Sequence, residues 1–562
     1  MRIGSDAENS TPNHLLMYVF RFRLVSLYID RILRESTTYR RRKRLSHMTK
    51  KLDLRSVYGS TLQRIRAQER NTDRLGMAAL MWITYAQRPL RVDELCHALA
   101  VELGSGDFDV DNVPSISTVL GCCQGLIAVD EEELTVRLIN LALYEYLFSN
   151  PGTLTHEPHS EIAKICLTYL NSKHVKDLSV SPSPEAPGTP FLEYCSVYWG
   201  VHAKKGPSAL VTSLALNLLQ EYDDHISAKL LLEHEGQLDP WNSRTDLGAA
   251  FRFSGLHCAS FLGISEVVAA LLQKESYDIN EVDFDGNTPL TWAAFNGHGE
   301  VVKMLLELKG IEPDKLDNYG GTPLLCAAMN GREGVVKMLL GREGVNPDRP
   351  NKEGRTPLSE AAEEGYGGIV KMLLMREEVH PDRSDKAGRT PLLHAARNGH
   401  EEVVEILLER AAVYSDRRDN TGRTPLSHAA GNGHEEVMEI LLKRRAACSS
   451  RIDKDGRIPL SFAAEEGHEG AVRMLLKWEG VDSDRPDNTG KTSLWHAAKN
   501  GHEGVVKILL ARKDVTPNRP DDSGCTPLML AVTHGHKAVI ELLKPHEFAE
   551  VQDGGDDKSG RT

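Results

Sequence analysis

Histidine, glutamate and cysteine are the residues of this sequence whose chemistry could serve catalysis or metal binding. Six histidines lie at multiples of 34 residues from one another, each directly after a glycine: His298, His400, His434, His468, His502 and His536. A metal ion needs ligands that converge on one point, whereas these histidines fall in successive copies of a repeat. We therefore predict that they are structural.

The paired glutamates and adjacent cysteines also have simpler explanations than chemistry. Glu363-Glu364 and Glu465-Glu466 are carboxylate pairs, but adjacent residues of a helix do not face each other. Cys122-Cys123 is too closely spaced for a Cys-x-x-Cys metal site and is predicted to be a pair of buried thiols. With no Ser-His-Asp pattern in view, we predict no catalytic residue, metal or cofactor.

One string resembles part of a phosphate-binding loop. A P-loop has the form GxxxxGK[ST], because its glycines let backbone amides surround the phosphates. Gly490-Lys491-Thr492 supplies the last three residues, but Arg485 stands where the leading glycine is needed. The string also falls on a repeat turn, so nucleotide hydrolysis is not expected.

The elements that position these residues come from a 34-residue repeat. Nine glycines keep one phase, namely Gly263, Gly297, Gly331, Gly365, Gly399, Gly433, Gly467, Gly501 and Gly535. Thr-Pro-Leu begins most units and predicts a helix with a threonine N-cap and proline at its first position. The glycine ends this helix, an apolar-patterned second helix follows, and a polar turn leads to the next unit.

This unit resembles the ankyrin repeat over residues 253–545. The resemblance rests on the turn, Thr-Pro-Leu, the paired alanines and the Asn-Gly-His string, in that order. The period is 34 rather than the usual 33, and the histidine that follows Thr-Pro-Leu in the family survives only as His257. Lys544 and Pro545 give the last unit the polar character of a terminal repeat.

Residues 75–150 are predicted to form a winged-helix domain. Helices are expected over Leu75–Gln87, Val92–Leu99 and Val113–Cys123, followed by a β-hairpin around the turn Asp130–Glu133 and a helix over Leu141–Phe148. Residues 151–252 are read as a helical linker region and solenoid N-cap. The predicted fold is mainly α: an ankyrin-repeat α-solenoid after a winged-helix module with one small hairpin.

The front half resembles a more particular family. Gln87–Leu90, Asp93–Glu102, Asp111–Ile116 and Pro190–Tyr194 are similar to fungal NACHT–ankyrin proteins, which are NLR-like signalling ATPases. That resemblance implies a region often labelled a GPI inositol-deacylase winged-helix domain. It also implies that residues 1–74 are a basic, partly disordered remnant of a NACHT-type module that lacks its packing partner.

Composition excludes several classes of protein. Hydrophobic residues make up 40% and charged residues 26%, as in folded proteins, and nine cysteines are too few for a disulfide framework. Residues 1–74 carry 17 Lys and Arg against 7 Asp and Glu, so the remaining residues are strongly acidic and a poor match for nucleic acid. No membrane span or small-molecule substrate is expected, and residues 546–562 are predicted to be disordered.

We expect a protein partner on the concave face of the repeats. The candidate contacts form an apolar group, Trp292, Phe295, Tyr319 and Met329, and a charged group, Glu363, Arg397, Glu465 and Lys499. Packing between repeats is the alternative role of the apolar group. The sequence thus predicts a non-enzymatic interaction scaffold related to fungal non-self recognition. The alternative is a nucleotide-dependent switch whose ATPase module is missing from the gene model.

Localisation follows from the same features. The cysteine usage and the lack of a convincing signal peptide predict a cytoplasmic protein. A basic run could instead direct it to the nucleus, although a solvated helix face is the simpler explanation: Arg40, Arg41, Arg42, Lys43 and Arg44.

Overall fold

The computed structural model forms two compact units, Met1–Asp278 and Ile279–Thr562. It describes residues 37, 40, 54–178, 188–223, 225–236, 252–274, 277–444, 450–478 and 480–546. The predictions for residues 547–562 and for most of the basic run therefore lie outside the described residues. None of the described helices is long and apolar enough to cross a membrane.

The first unit begins with helices around a small sheet. Its elements in chain order are α1 (Leu54–Arg66), α2 (Arg70–Tyr85), β1 (Leu90–Arg91), α3 (Val92–Ala100), α4 (Ile116–Cys122), β2 (Ile127–Asp130), β3 (Thr135–Leu138) and α5 (Leu141–Ser149). The strands lie in the order β1-β3-β2, and both pairs are antiparallel. The predicted hairpin is confirmed, and β1 is an addition that pairs Leu90 with Val136.

The predicted helix Val113–Cys123 is shorter than expected. A 3₁₀ turn covers Val110–Asn112, and α4 begins only at Ile116, where the Ser115 hydroxyl accepts a hydrogen bond from the Thr118 N–H at 3.2 Å. Pro114 disfavours helical backbone for the residue before it. Cys122 and Cys123 are buried thiols, as predicted, and Cys123 lies 3.6 Å from the Gly76 carbonyl oxygen.

Five further α-helices lie before the repeats in the residues that the structure describes. They are α6 (Pro158–Leu170), α7 (Lys173–Lys176), α8 (Leu192–Lys205), α9 (Ala209–Leu219) and α10 (Ile226–His234). An aromatic cluster joins α2 to α8, because Trp82 lies edge-on to Phe191 at 5.4 Å and to Tyr194 at 5.8 Å between ring centroids. The linker region therefore shares a core with the winged helix.

Helix α1 has a packing partner, contrary to the prediction for residues 1–74. Tyr58, Leu62 and Ile65 are at most 1% exposed, and α1 packs against α2 and α5. The Tyr58 hydroxyl donates to Asn140 Oδ1 at 2.9 Å. The expectation of an unpartnered remnant is wrong for this helix, since its apolar face is covered.

Nine pairs of helices follow in the described residues, and we number them as repeats 1 to 9. The pairs are α11 (Gly255–Leu262) and α12 (Ser265–Leu272); α13 (Pro289–Asn296) and α14 (Gly299–Leu306); α15 (Pro323–Met329) and α16 (Glu333–Leu340); α17 (Pro357–Glu363) and α18 (Gly367–Leu374); α19 (Pro391–Asn398) and α20 (Glu401–Leu408); α21 (Pro425–Asn432) and α22 (Glu435–Arg444); α23 (Pro459–Glu466) and α24 (Glu469–Lys477); α25 (Ser493–Asn500) and α26 (Glu503–Leu510); α27 (Pro527–His534) and α28 (Lys537–Leu543). Repeat 1 belongs to the first unit and repeats 2–9 to the second.

The first helix of each pair, here called the inner helix, begins and ends as its sequence dictates. Threonine hydroxyls accept the N–H three residues later at Thr288, Thr322, Thr356, Thr390, Thr424, Thr492 and Thr526. Ile458 lacks this bond in repeat 7. The nine in-phase glycines all have φ between +70° and +82°, which side chains disfavour.

Repeats 2–9 stack in sequence order. Each inner helix packs on the next inner helix, and each second, outer helix packs on the next outer helix. The paired alanines of the inner helices are fully buried, for example Ala395 and Ala396, so small side chains allow close approach. A rigid series of turns and inner helices results.

Candidate protein-binding face

The turns of neighbouring repeats are joined by backbone hydrogen bonds. The Asn318 N–H donates to the Asp285 carbonyl at 2.8 Å, and the Lys352 N–H donates to the Tyr319 carbonyl at 2.8 Å. The same bond recurs along the stack to Asp522 and Thr489. The turns thus form one continuous row whose side chains have fixed relative positions.

The recurring histidines join one repeat to the next, as predicted for structural residues. His400 Nε2 lies 2.8 Å from the Glu363 carbonyl oxygen, and His434 Nε2 lies 3.0 Å from the Arg397 carbonyl oxygen. His468, His502 and His536 make the equivalent contact. Repeat 3 has Arg332 at this position, and its Nε donates to the Phe295 carbonyl at 3.0 Å.

Ion pairs join the repeats along a second line, in the loops before the turns. Arg349 contacts Asp314, 35 residues before it, at 2.7 Å. The equivalent arginine of each following repeat but one, 34 residues further along, contacts the aspartate 35 residues before it in the same way. The other pairs are Arg383–Asp348, Arg417–Asp382, Arg451–Asp416 and Arg519–Asp484. Arg485 continues this series of arginines, but the residue 35 before it is Ser450 rather than an aspartate.

Trp292 lies inside the repeat rather than on its surface. Its side chain is 3% exposed, and Nε1 donates to the turn carboxylate of Asp283 at 2.8 Å. Histidines occupy the same position in later repeats and contact the turn aspartate in the same way, at 3.0 Å for His394 and 2.9 Å for His428. This position ties the inner helix to its own turn, so the packing role is favoured for Trp292.

The other three apolar candidates differ in exposure. Phe295 packs edge-on against Trp292 at 5.9 Å between centroids and is half-buried, as is Met329. Tyr319 is 61% exposed at the tip of the repeat 3 turn. Of the apolar group, Tyr319 is therefore the side chain most available to a partner.

The charged candidates Glu363 and Glu465 occupy two matching clusters. Glu363 forms an ion pair with Arg355, and Glu465 forms one with Arg457. Each glutamate also faces the histidine of the next repeat, at 3.7 Å from His394 Nδ1 and 3.8 Å from His496 Nδ1.

Both histidines are held neutral. Burial lowers the pKa of His394 to about 4; the charge of Arg355 adds to this shift, and Asp385 opposes it. Burial and the charge of Arg457 likewise lower the pKa of His496 to about 4. At neutral pH these clusters present an arginine–glutamate pair to solvent rather than a charged imidazole.

Arg397 and Lys499 lie on the same face. Arg397 is half-buried, and Lys499 is exposed. Lys499 Nζ lies 5.6 Å from the ring centroid of Trp495, and Lys491 Nζ lies 4.9 Å from it. Lys499, Lys491 and Trp495 line a shallow cleft of about 300 Å³ together with Arg457, Glu465 and His496.

A line of cations that was not among the candidates also lies along these turns. The residue just before the inner helix's N-cap is basic in five consecutive repeats: Arg355, Arg389, Arg423, Arg457 and Lys491, here called the basic row. Arg423 and Arg457 each lie over the ring of Phe462, at 4.3 and 4.4 Å from its centroid. Their 34-residue spacing was the signal in the sequence.

The Gly-Lys-Thr string is a turn, as predicted. Gly490 has φ +80°, and the Thr492 hydroxyl caps α25 by accepting the Trp495 N–H at 3.2 Å. Both residues are therefore explained by the repeat.

Family models match most of this architecture. Ankyrin repeats in sets of three match residues 216–317, 308–385, 369–452, 413–487 and 446–521, and a single ankyrin repeat matches 523–553. The winged helix domain of GPI inositol-deacylase matches residues 63–163. No curated protein matches the sequence at a significant level.

Proposed function

Because this chain belongs to the ankyrin-repeat family, we propose that it is a non-enzymatic scaffold that binds another protein through the turns and inner helices of repeats 2–9. Repeat solenoids bind partners on such extended surfaces. The backbone bonds between turns and the histidine contacts between repeats hold this surface in place before a partner arrives. A preformed surface reduces the ordering cost of association.

One observation carries the proposal. The residues that make the repeated contacts are nearly the same in every repeat, but the turn residue three before the N-cap differs in most of them. It is Asp285, Tyr319, Glu353, Ala387, Thr421, Asp455, Thr489 and Ser523, and it is exposed in all but the first of these. The hydroxyls of Thr421, Thr489 and Ser523 donate to the aspartate of their own turn, but tyrosine, glutamate and alanine stand at this position in other repeats. The fold therefore does not require one residue type there, and the position can vary to specify a partner.

The test compares two exposed tyrosines of the second unit. Tyr319 lies on a turn and is 61% exposed, whereas Tyr414 lies in a loop between repeats and is 64% exposed. Tyr319→Ala should weaken capture of a partner from cell extract about tenfold or more, as for an aromatic hot spot. Tyr414→Ala should leave capture unchanged, and both variants should keep the melting temperature of the parent.

If both variants lose partner capture equally, or if Tyr319→Ala captures the partner as well as the parent chain does, the binding face does not include the turn of repeat 3. The next variants are then Arg397→Ala and Lys499→Ala, which remove the two cations of the charged group. A sharp fall in melting temperature with Tyr319→Ala would instead assign this side chain to packing.

We also propose that the chain is related to fungal NLR-like proteins of non-self recognition and acts in the cytoplasm. The order of modules supports this, since a winged-helix match precedes the ankyrin matches. Sequencing of complete transcripts tests the relation. An in-frame P-loop codon string upstream would favour the nucleotide-dependent switch over a scaffold alone.

Nucleic acid is a poor candidate partner for the winged helix. The hairpin turn carries Asp130, Glu131, Glu132 and Glu133, and Arg137 is paired within the hairpin to Asp130 at 3.3 Å. Carboxylates repel a phosphate backbone. We expect no salt-dependent shift of a labelled DNA duplex at micromolar protein concentration.

A further inference from the structure

The inner helix of the last repeat leaves apolar side chains exposed where earlier repeats bury them. Met529 and Val532 of α27 are each 56% exposed. In repeats 2–8 the residues at the position of Met529 are at most 6% exposed, and those at the position of Val532 are fully buried. The contact that joins each repeat to the next therefore ends, at repeat 9, in an open surface.

The same surface includes side chains from both helices of the last repeat. Leu528 and Ile540 are partly exposed, whereas their equivalents one repeat earlier, Leu494 and Val506, are fully buried. Terminal repeats need a polar outer face for solubility. Lys544 is exposed, as that requires, but four apolar side chains are exposed beside it and are here called the end face: Leu528, Met529, Val532 and Ile540.

The residue type at position 532 argues against a further repeat as the occupant of the end face. Alanine stands at this position in each of repeats 2–8, where neighbouring inner helices pack on each other. Valine adds two methyl groups, and added atoms in a tightly packed contact force the neighbours to shift. The end face therefore suits an apolar surface that approaches less closely than the next repeat would.

The first repeat of the chain offers no comparable surface. Within the first unit, α9 packs against both helices of repeat 1. A Cβ on Gly255 of α11 would meet the Leu219 carbonyl oxygen of α9, so the two helices are in close contact. A head-to-tail contact between copies needs two different open faces. Two copies can therefore meet end to end only through their two end faces.

We propose that the end face binds the end face of a second copy of this chain, with the two α27 helices packed across a two-fold axis. Each copy then covers the apolar surface of the other, and Met529 of one copy lies beside Met529 of its partner. A two-fold contact of this kind closes, so that no end face is left for a third copy. The contact does not involve Tyr319, so it is independent of the partner binding proposed above.

The size and chemistry of the end face predict how the dimer should behave. One repeat presents a small surface, and interfaces that bury less than about 1,200 Å² belong to transient complexes. We therefore expect a dissociation constant in the micromolar range. Because the contact is apolar, raising the salt from about 0.1 to about 0.5 M should change it by no more than about twofold.

Sedimentation velocity of the full chain measures this equilibrium. Between about 1 and 200 µM protein, the weight-average sedimentation coefficient should rise from that of the monomer to that of the dimer, with no larger species. Met529→Lys should weaken the dimer about tenfold or more, because it places two like charges in an apolar contact.

Met375→Lys is the matched control. Met375 is 76% exposed and belongs to the same unit, but it lies outside the end face. The dimer should be as stable in this variant as in the parent chain. Both methionines are exposed, so both variants should keep the melting temperature of the parent.

A mixture of two variants tests the two-fold arrangement. Chains with Met529→Lys repel one another across the axis, and so do chains with Met529→Glu. One chain of each kind places opposite charges side by side. The mixed dimer should therefore be about fivefold tighter, or more, than the dimer of either variant alone.

Three results would overturn the proposal. A full chain that stays monomeric at about 200 µM would exclude a second copy as occupant; if a chain that ends at His546 then dimerises, the residues removed are the occupant. Equal weakening by Met529→Lys and Met375→Lys would place the contact elsewhere. A mixed pair no tighter than the like pairs would exclude the two-fold contact of α27.

Discussion

At the scale of single residues, the position four after the N-cap of the inner helix packs against the turn of its repeat through side chains of different chemistry. Trp292, His394 and His428 all contact the aspartate of their own turn through a ring nitrogen. Phe462 has no such nitrogen and instead lies between two arginine side chains. The buried interior of a repeat therefore tolerates polar residues when each finds a partner.

The buried histidines predict how stability depends on pH. The pKa of His394 is about 4 in the folded chain and about 6.5 when unfolded. Above pH 6.5 both states are neutral; as pH falls towards 4, the unfolded state takes up the proton first and the folded state loses relative stability. The loss is at most about 3 kcal/mol for one such histidine.

His394→Gln should therefore flatten the pH dependence of unfolding. Glutamine retains an N–H for Asp385 but cannot titrate, so the difference in melting temperature between pH 7 and pH 4.5 should be smaller than in the parent chain. His534→Gln is the control, because His534 is exposed on the last repeat. A parallel pH profile for parent and His394→Gln would assign the acid sensitivity to other groups.

At the scale of elements, the in-phase glycine after the inner helix meets two demands at once in repeats 2 to 8. Gly399 has φ +80°, and a Cβ there would lie 2.6 Å from His434 Nδ1 of the next repeat. Conformation and close approach thus require glycine independently. The prediction from sequence addressed only the first demand, because contact between repeats becomes visible only in the stack.

Gly399→Ala should destabilise the repeats by about 2 kcal/mol, since it combines a strained backbone with displacement of the His434 ring. Gly334→Ala is the matched control, because Gly334 lies in α16 with no atom within 4 Å of an added Cβ. It should be neutral or stabilising by up to about 1 kcal/mol. Urea unfolding followed by circular dichroism measures both, and equal effects would contradict the role of Gly399.

The series of aspartate–arginine pairs between repeats is interrupted at Ser450 and Arg485, and we predict that restoring the aspartate stabilises the fold. Ser450→Asp places a carboxylate where Arg485 lacks the pair that its equivalents have. The gain should be about 0.5 kcal/mol, since partly exposed pairs contribute little each, and it should shrink in 1 M salt. Ser450→Asn is the uncharged control, and an equal gain from it would rule out an ion pair.

Sequence predicted the helices of the repeats well and the small sheet less completely. Thr-Pro-Leu and the in-phase glycine mark both ends of an inner helix by local chemistry alone, and the structure places them there. Strand β1 has two residues, too few to show an alternation of apolar and polar side chains, and it forms by pairing with β3, where Leu90 lies opposite Val136 far along the chain. The burial of Trp292 was equally invisible, because exposure of an aromatic residue depends on its neighbours in space.

At the scale of the whole molecule, the contacts between neighbouring repeats in the second unit recur at nearly constant sequence separations. Removing residues 391–424, one full period, brings Arg451 to the place of Arg417 opposite Asp382, and His434 to the place of His400 beside Gly365. We expect this shortened chain to unfold cooperatively, with helix content reduced in proportion. Removal of residues 391–414 breaks the phase and should leave a broadened transition by circular dichroism.

The glycine–histidine contact has a consequence for inheritance. Because its two residues belong to adjacent repeats and every copy carries a compatible partner, unequal recombination between copies of the coding segment yields chains whose junctions still fit. Such exchange lengthens or shortens the array by whole periods and brings a different exposed turn residue next to each neighbour. A gene built this way can change what its product recognises without first passing through an unfolded form.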